Sequence, residues 1–546
     1  MDLDAEARRR LHLVQLWPAQ RRAVELLLGG RDTLVVVETG GGKSAVYQLA
    51  GPLLDGLTVV VSPLRALQRD QLHGLQEADA GRAALLNADL GVRRRRAVLD
   101  DLGAGRLAFL LLSPEQLQNE EVAARLRRRP PALVAVDEAH CVSSWGHDFR
   151  PDYLLLGDVI ASWGHPVTVA LTATAAPPIR EDIARVLGLR QPAVVLGGVD
   201  RSNLWLGVER HTDGRAKDRA VLERAATTDG AGIVYAATRR RCDDLADALP
   251  DAVAYHAGLT ARLRREREEE FLAGEVRVVV ATTAFGMGID KPDVRFVLHA
   301  DAPQSLDAYY QQVGRAGRDG RPSDGVFYYR AEDLGMRRFL ASGAPPPADH
   351  LVGVLDAVRD HEGGVRRQEL VAATGLSARA VGAAVAALAE VGAVTGRRGQ
   401  RVALKRSGAR AGGGAGKETV LDAVAERHDL RRRLSESRVA MLRAHAEGRE
   451  CRWRQLRAYF GDDTEERCQH CDNCLDGRAE EVARDDGRAD GYPVGARVRH
   501  EEWGDGEVLE REGDEIVAVF ASGYRTLSAQ LVEEGGLVRT IGEGAG

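Results

Sequence analysis

Residues 133–140 read Leu133-Val134-Ala135-Val136-Asp137-Glu138-Ala139-His140, and the chain continues Cys141-Val142-Ser143-Ser144-Trp145-Gly146-His147-Asp148-Phe149-Arg150-Pro151-Asp152-Tyr153. Four apolar residues running straight into two carboxylates predict a buried parallel strand with the acids at its C-terminal end, where nucleotide sites of α/β folds lie. There Asp137 is suited to hold Mg²⁺ and Glu138 to orient an attacking water. The loop that follows mixes aromatic faces with positive charge at Trp145, His147, Phe149 and Arg150. Stacking of a nucleic-acid base on an aromatic ring is worth about 1–3 kcal/mol and tolerates any base. Interdomain packing of Trp145 and Phe149 is the other reading of the loop.

The matching half of a nucleotide site lies about a hundred residues upstream. An apolar strand over 34–37 leads into Thr39-Gly40-Gly41-Gly42-Lys43-Ser44, and a helix is expected from Ala45. Strand, glycine loop and helix is the context a phosphate loop requires. Glycines let backbone N–H groups approach phosphate, the helix N-terminus favours the anion, Lys43 can reach the β- and γ-phosphates, and Ser44 can ligate Mg²⁺. Val37 stands where the general pattern has its first glycine.

Taken together, residues 10–335 resemble the RecQ family of superfamily 2 DNA helicases. Pro18 and Gln20 are similar to the family's adenine-reading motif, with Leu16-Trp17 where an aromatic-Arg pair is usual. Ser62-Pro63-Leu64 with Asp70-Gln71, and Ser113-Pro114-Glu115, look like strand-end loops that hold the DNA backbone. Leu171-Thr172-Ala173-Thr174-Ala175 resembles the motif that couples hydrolysis to DNA grip. The resemblance implies that the 145–150 loop senses single-stranded DNA and places His140 in the catalytic set.

A second α/β lobe is expected from Asp200-Arg201-Ser202-Asn203-Leu204 onward, with strands over 232–235 and 276–282 between helical stretches. Ala284-Phe285-Gly286-Met287-Gly288-Ile289-Asp290 and Gln311-Gln312-Val313-Gly314-Arg315-Ala316-Gly317-Arg318 close it. By resemblance Gly288, Asp290 and Gln311 face the nucleotide. Two arginines three apart are expected on one face of a helix. Across a cleft they can neutralise the transferring phosphoryl group, worth about 10³–10⁵ in rate in related enzymes. Arg318 is the expected arginine finger and Arg315 its neighbour.

Four of the six cysteines follow the spacing C-x₁₆-C-x₂-C-x₂-C at Cys451, Cys468, Cys471 and Cys474. Four thiolates so close together read as a closed tetrahedral Zn²⁺ site, and neighbours this near in sequence are too close for two unstrained disulfides. Cys451-Arg452 and Tyr459-Phe460-Gly461 also resemble the RecQ zinc subdomain. Cys141 and Cys242 read as inert buried thiols. No run of about 18 apolar residues suggests a membrane span, the acidic N-terminus is unlike a secretory signal, and the expected location is cytoplasmic. A net charge of −6 on 546 residues requires that any DNA contact be made by local basic faces.

Between motor and zinc module, residues 346–406 read as three helices (351–360, 367–374, 378–391) and a hairpin over 393–404, the pattern of a winged helix. Nine Lys/Arg against six Asp/Glu over 349–406, with Arg397 and Arg398 at the turn, suit DNA; a small packing domain is the alternative. RecQ enzymes normally carry such a domain after the zinc module. Residues 407–417 form a Gly-rich linker, 418–476 the helical zinc module, and 477–490 a charged linker. Residues 491–546 read as short strands of a small β-barrel, and 498–508 resemble the Tudor-like tail of UvrD and PcrA helicases, which implies docking onto RNA polymerase. Eleven acids against five arginines there favour a protein partner over DNA.

The expected architecture is thus α/β: RecA-like lobes at 1–198 and 199–345, a winged helix, a zinc module and a barrel. The expected activity is ATP- and Mg²⁺-dependent unwinding of DNA with 3′-to-5′ polarity, serving repair and recombination. A duplex translocase that separates no strands, and an ATP-switched adaptor linking RNA polymerase to DNA repair, are the other readings.

Overall fold

The computed structural model describes residues 2–540 with the exception of 39–40, 64, 79–80, 88–89, 118, 144–150, 287–290, 336–344, 362, 396–400, 405–416, 463, 481–491, 493–495, 502, 513–514, 521–522, 529–531 and 533–537. They fall into two compact units, 1–334 with 438–546, and 335–437.

The first unit contains two parallel sheets. Strands β1 (Thr33–Val36), β2 (Thr58–Val61), β3 (Ala83–Leu86), β4 (Phe109–Leu112), β5 (Leu133–Val136), β6 (Val167–Thr172) and β7 (Ala193–Leu196) are ordered β3-β4-β2-β5-β6-β1-β7. β1, β2, β4 and β5 are buried at every residue, as continuous apolar strands between two helical layers must be. The second sheet takes β8 (Leu204–Arg210), β9 (Ala231–Tyr235), β10 (Ala252–Tyr255), β11 (Val278–Ala281), β12 (Val294–His299) and β13 (Ser323–Tyr329) in the order β10-β11-β9-β12-β13-β8, again all parallel.

Both lobes meet the module that carries the four cysteines. The indole N–H of Trp453 donates to the Leu204 carbonyl (3.2 Å), the Val208 N–H donates to Asp472 (3.0 Å), and the Tyr459 hydroxyl donates to Asp307, all three in the second lobe. On the first lobe, Arg180 spans its own Ala175 carbonyl (2.9 Å) and that of Phe460. The module is a brace between the lobes, and its helix Arg452–Tyr459 is buried along most of its length because neighbours cover it on several sides.

The second unit packs helices Ala348–Arg359, Arg367–Thr374 and Ala378–Glu390 around Leu351, Val354, Leu370, Val381, Val385 and Leu388. The second and third helices meet at 110°, a helix–turn–helix bend. Gly375 at φ +69° ends the one, and the Ser377 hydroxyl caps the other at the Ala380 N–H. Strands β14 (Val394–Thr395) and β15 (Ala403–Leu404) pair antiparallel; Arg397 and Arg398 between them lie outside the described residues. Among the described residues no single helix is long and apolar enough to cross a membrane.

At the C-terminus, β16 (Arg497–His500), β17 (Gly504–Glu512), β18 (Glu515–Phe520), β19 (Gly523–Ser528) and β20 (Val538–Thr540) form an antiparallel sheet ordered β19-β18-β17-β16-β20. The sequence suggested four of these strands; β20 is the addition, and among the described residues the two edge strands do not pair with each other. Strand alternation gives β18 two buried faces. Ile516, Ala518 and Phe520 line the core of this sheet, while Val517 and Val519 pack into the core that includes Leu306, Met441 and Tyr459.

Candidate functional site

Register brings the two halves of the nucleotide motif together. β6 lies between β1 and β5, with Val36 opposite Thr172 and Val136 opposite Ala170, so all three strands end at one edge. The glycine loop therefore lies beside the acids with Thr172 between them. Gly42 takes φ +61°, and a Cβ there would stand 2.6 Å from Gln20 Nε2, so a side chain at this position would be strained and would displace the Gln20 amide. Gln20 pins the loop: its amide nitrogen donates to the Gly41 and Gly42 carbonyls at 3.1 Å each, and its oxygen accepts from the Trp17 N–H at 2.9 Å. Lys43 Nζ rests 3.4 Å from the Val37 carbonyl, and its charge acts on both Glu38 and Asp137. Ser44 opens the helix Ser44–Leu53; Thr39 and Gly40 lie outside the described residues.

Asp137 is 5 % exposed, with Oδ2 accepting from Gln71 Nε2 (2.7 Å) and Oδ1 from the Glu138 N–H (2.9 Å). Burial, then the neighbouring Glu138 charge, push its pKa up to about 6 against the pull of Lys43 and Gln71. A carboxylate opposed in this way gains from a hard cation, and with the Ser44 hydroxyl nearby in the motif the donor set fits Mg²⁺. Glu138 sits in the left-handed region at φ 48°, ψ 46°, a conformation that costs a non-glycine residue about 1–3 kcal/mol. Its Oε2 lies 3.3 Å from His140 Nδ1, which is 3.0 Å from Thr172 Oγ1; that hydroxyl donates to the Thr174 carbonyl at 2.9 Å. A polar chain thus runs from the second acid into the Thr172–Thr174 motif. The Tyr153 hydroxyl donates to the Asp137 carbonyl (3.1 Å), so the chain leaving the aromatic loop returns to the acids. Trp145, His147, Phe149 and Arg150 lie outside the described residues, as do Gly288 and Asp290.

Three expectations are corrected. Arg315 and Arg318 do not stand on a helix face: the helix Leu306–Val313 stops at Gly314, and both arginines lie in the turn that follows, where Gly317 takes φ +60°. Arg315 is buried beside Tyr235 and Gly286, and Arg318 is half-buried. Gln71, grouped by sequence with DNA-backbone loops, turns inward to Asp137. Ser62, expected to touch DNA, has its side chain fully enclosed, because β2 is an internal strand that ends under its neighbours; Pro63 beside it is half-buried. Gln311 is buried on the same helix that leads to Arg315. Glu38, Arg201 and Tyr153 belong to the site although no sequence pattern singled out a role for them; only their neighbours in space do so.

The four sulfurs of Cys451, Cys468, Cys471 and Cys474 lie within 4.8 Å of one another, and Cys468 Sγ is 3.9 Å from Cys474 Sγ. Tetrahedral bonds of about 2.3 Å to one metal place sulfurs about 3.8 Å apart, so the set fits zinc, whereas a disulfide needs about 2.0 Å. Thiols this close ionise against one another. Hydrogen bonds from Cys468 and Cys471 lower the Cys451 pKa, the same bonds raise those of the two donors, and burial raises that of Cys474. Arg452, fully buried, forks onto Asp472 at 2.9 and 3.0 Å and fastens the ligand loops on either side.

Residues 17–182 match the DEAD/DEAH box helicase family, 217–320 the helicase conserved C-terminal domain, and 418–475 the RecQ zinc-binding domain. Over 348 residues the chain is 38 % identical to the probable ATP-dependent DNA helicase RecS of Bacillus subtilis, a match spanning 63 % of this chain and 70 % of that protein. This chain belongs to the RecQ family of superfamily 2 DNA helicases. It is 40 % identical over 329 residues to the RecQ helicase of Bacillus subtilis, covering 59 % of this chain and 55 % of that one. It is 41 % identical over 345 residues to ATP-dependent DNA helicase Q5 of Rattus norvegicus, covering 59 % and 35 %. The chain therefore spans about half of the RecQ relative and about a third of Q5. The RecQ zinc-binding match takes in all four cysteines, so their cluster is the zinc site of this RecQ chain.

Proposed function

We infer that this RecQ chain hydrolyses ATP to move 3′ to 5′ along single-stranded DNA and to part duplex or branched DNA during repair and recombination, in the cytoplasm. The observation that carries the reading is the meeting of the Lys43 loop with Asp137 and Glu138 at one sheet edge, joined through His140 to Thr172. Gln20 reads adenine, and Thr39, Gly40, Gly41, Gly42 and Lys43 take the phosphates, with Gly288, Asp290 and Gln311 facing the nucleotide from the second lobe. Mg²⁺ held by Ser44 and Asp137 would neutralise charge on the β- and γ-oxygens. Glu138 orients a water and accepts its proton as the water oxygen attacks the γ-phosphorus and the bond to the β,γ-bridging oxygen breaks. Arg318, with Arg315 behind it, faces the charge that develops. Trp145, His147, Phe149 and Arg150 stack on and clamp the strand, with Pro63 on its path, and Tyr153 connects that loop to Asp137.

The winged-helix reading of 346–406 assigns Arg397 and Arg398 to duplex phosphates. For 491–546, RNA polymerase is the proposed partner; the acidic balance of the segment supports a protein over DNA.

The test is strand displacement on duplexes with a 3′ or a 5′ overhang, with ATP hydrolysis recorded alongside, for the wild type and Lys43→Ala. Displacement on the 3′ overhang that disappears in Lys43→Ala is expected. DNA-stimulated hydrolysis with no displacement on either substrate would favour the duplex translocase, or, if polymerase is captured through 491–546, the adaptor.

A further inference from the structure

The segment between the lobes carries an arginine whose contacts reach both of them. Arg201 is 9 % exposed. Its Nη1 donates to the Gly314 carbonyl at 3.1 Å and its Nη2 to the Gly317 carbonyl. Asn203, two residues on, donates from Nδ2 to the Gly317 carbonyl (2.8 Å) and the Arg321 carbonyl (2.9 Å). These carbonyls belong to the turn after the helix Leu306–Val313, at the end where a helix leaves its carbonyls unpaired and favours a cation. The turn is cramped: a Cβ on Gly317 would lie 2.5 Å from Asn203 Nδ2 and 2.8 Å from Ser323 Oγ. Arg315 and Arg318 are carried on this turn, one on each side of Gly317.

The Nε of the same guanidinium faces the other lobe. Arg201 Nε lies 3.6 Å from Oε2 of Glu38, the residue that leaves β1 for the phosphate loop. That oxygen is buried and accepts no hydrogen bond, although Arg201 and Lys43 are the cations whose charge reaches it. At 3.6 Å the pair is attractive but not hydrogen-bonded, and an approach of about 0.7 Å would bring it to the usual N–H···O length. Nη1 and Nη2 of the same group are bonded to the turn, so movement of Glu38 relative to Arg201 is movement of the phosphate loop relative to Arg315 and Arg318.

We propose that Arg201 is a positioning residue for ATP hydrolysis: it holds the turn bearing Arg315 and Arg318 by two carbonyls and, through Glu38, ties that turn to the phosphate loop. Arg201 touches neither nucleotide nor water; it acts through the turn. The assignment rests on reading Arg315 and Arg318 as the cations that face the phosphates. A lysine at 201 keeps the charge for Glu38 but has one nitrogen in place of a planar fork, and cannot serve both carbonyls and the carboxylate.

The test measures DNA-stimulated ATP hydrolysis and the affinity of a fluorescent ATP analogue in full-length Arg201→Lys, Glu38→Gln, the double variant and Arg318→Ala. Arg201→Lys is expected to lower kcat by about 10²-fold, as a misplacement near 1 Å does, while KM and analogue affinity change less than about threefold. Glu38→Gln is expected to lower kcat less, by about tenfold, and the double variant to be no worse than Arg201→Lys, since both break one connection. A kcat within about twofold of wild type in Arg201→Lys overturns the proposal, and losses that multiply in the double variant overturn the link to Glu38. If Arg201→Lys fails to fold, Glu38→Gln decides alone: a kcat loss at unchanged KM supports the tie, and an unchanged kcat removes it. Arg318→Ala reports on the premise separately. Normal hydrolysis there means the arginine-finger reading is wrong, whereas a dead Arg318→Ala beside a normal Arg201→Lys overturns only the positioning role.

Discussion

Replacing Arg452 by methionine tests how the zinc module is held. The guanidinium is fully buried and gives two hydrogen bonds to Asp472, one to the Gly448 carbonyl (3.2 Å) and one to the His445 carbonyl. Asp472 also accepts from Val208 (3.0 Å) and Asn473 (2.7 Å). Burial alone would raise its pKa, but Arg452 and these two amides together hold it below the usual carboxylate range. Methionine fills the space yet strands a buried anion and two carbonyls, and breaking a buried pair from one side costs about 3–5 kcal/mol. Arg452 and Asp472 each adjoin a zinc ligand, so the loss falls on the local opening that exposes the metal. At 1.4 kcal/mol per tenfold, about 4 kcal/mol speeds opening-limited zinc release by about 10³. The assay is transfer of zinc to a chromogenic chelator in mild urea, with Asp472→Leu and the double variant alongside. The double variant is expected to cost about 2–3 kcal/mol less than the sum of the single changes, because neither charge remains alone. Acceleration of less than about tenfold in Arg452→Met, or strict additivity, would refute the view that this pair is the staple of the site.

Three other outcomes follow from burial and charge. Glu38, with 18 % of its side chain exposed, has its pKa raised to about 7 by burial against the opposing charges of Arg201 and Lys43. The folded state therefore binds its proton more tightly than the unfolded state between pH 4.5 and about 7, and the stability it contributes falls as pH rises through that window, by at most about 3 kcal/mol. Glu38→Gln should leave the nucleotide-free melting midpoint nearly unchanged at about pH 4, below the window, and raise it at pH 8; an equal shift at both would contradict the assignment. Lys217, 2 % exposed between Asp301 and Asp333, should cost about 3–5 kcal/mol as Lys217→Met, seen as a lower midpoint for the second lobe. Val517→Asp places a charge against Leu306, Met441 and Tyr459, and should release residues 496–540 to limited proteolysis at a rate raised by about 10²; unchanged protection would show that this face is not a real contact.

Sequence by itself determined the parts whose chemistry is local. Apolar runs that end in Asp137-Glu138 or lead into Gly40-Gly41-Gly42-Lys43 specify buried parallel strands with acids or phosphate-binding glycines at their ends, because a strand covered on both faces has no room for polar side chains before its edge. Cys468, Cys471 and Cys474 specify most of a metal site for a similar reason, since two intervening residues cannot keep them apart, whereas Cys451 is brought to them by the fold. The helix expected to carry Arg315 and Arg318 was misread because periodicity does not register where a helix stops, and Gly314 and Gly317 take the chain out of it. Tertiary structure alone decided which edge the strands share, that Gln71 faces Asp137 instead of DNA, that Ser62 is enclosed, and that β18 is buried on both sides. It also decided that Glu38 and Arg201, 163 positions apart in the sequence, face each other across the lobes. The physical reason is the same in each case: hydrogen bonds and ion pairs act over a few ångströms of space, and only folding brings distant residues within that range.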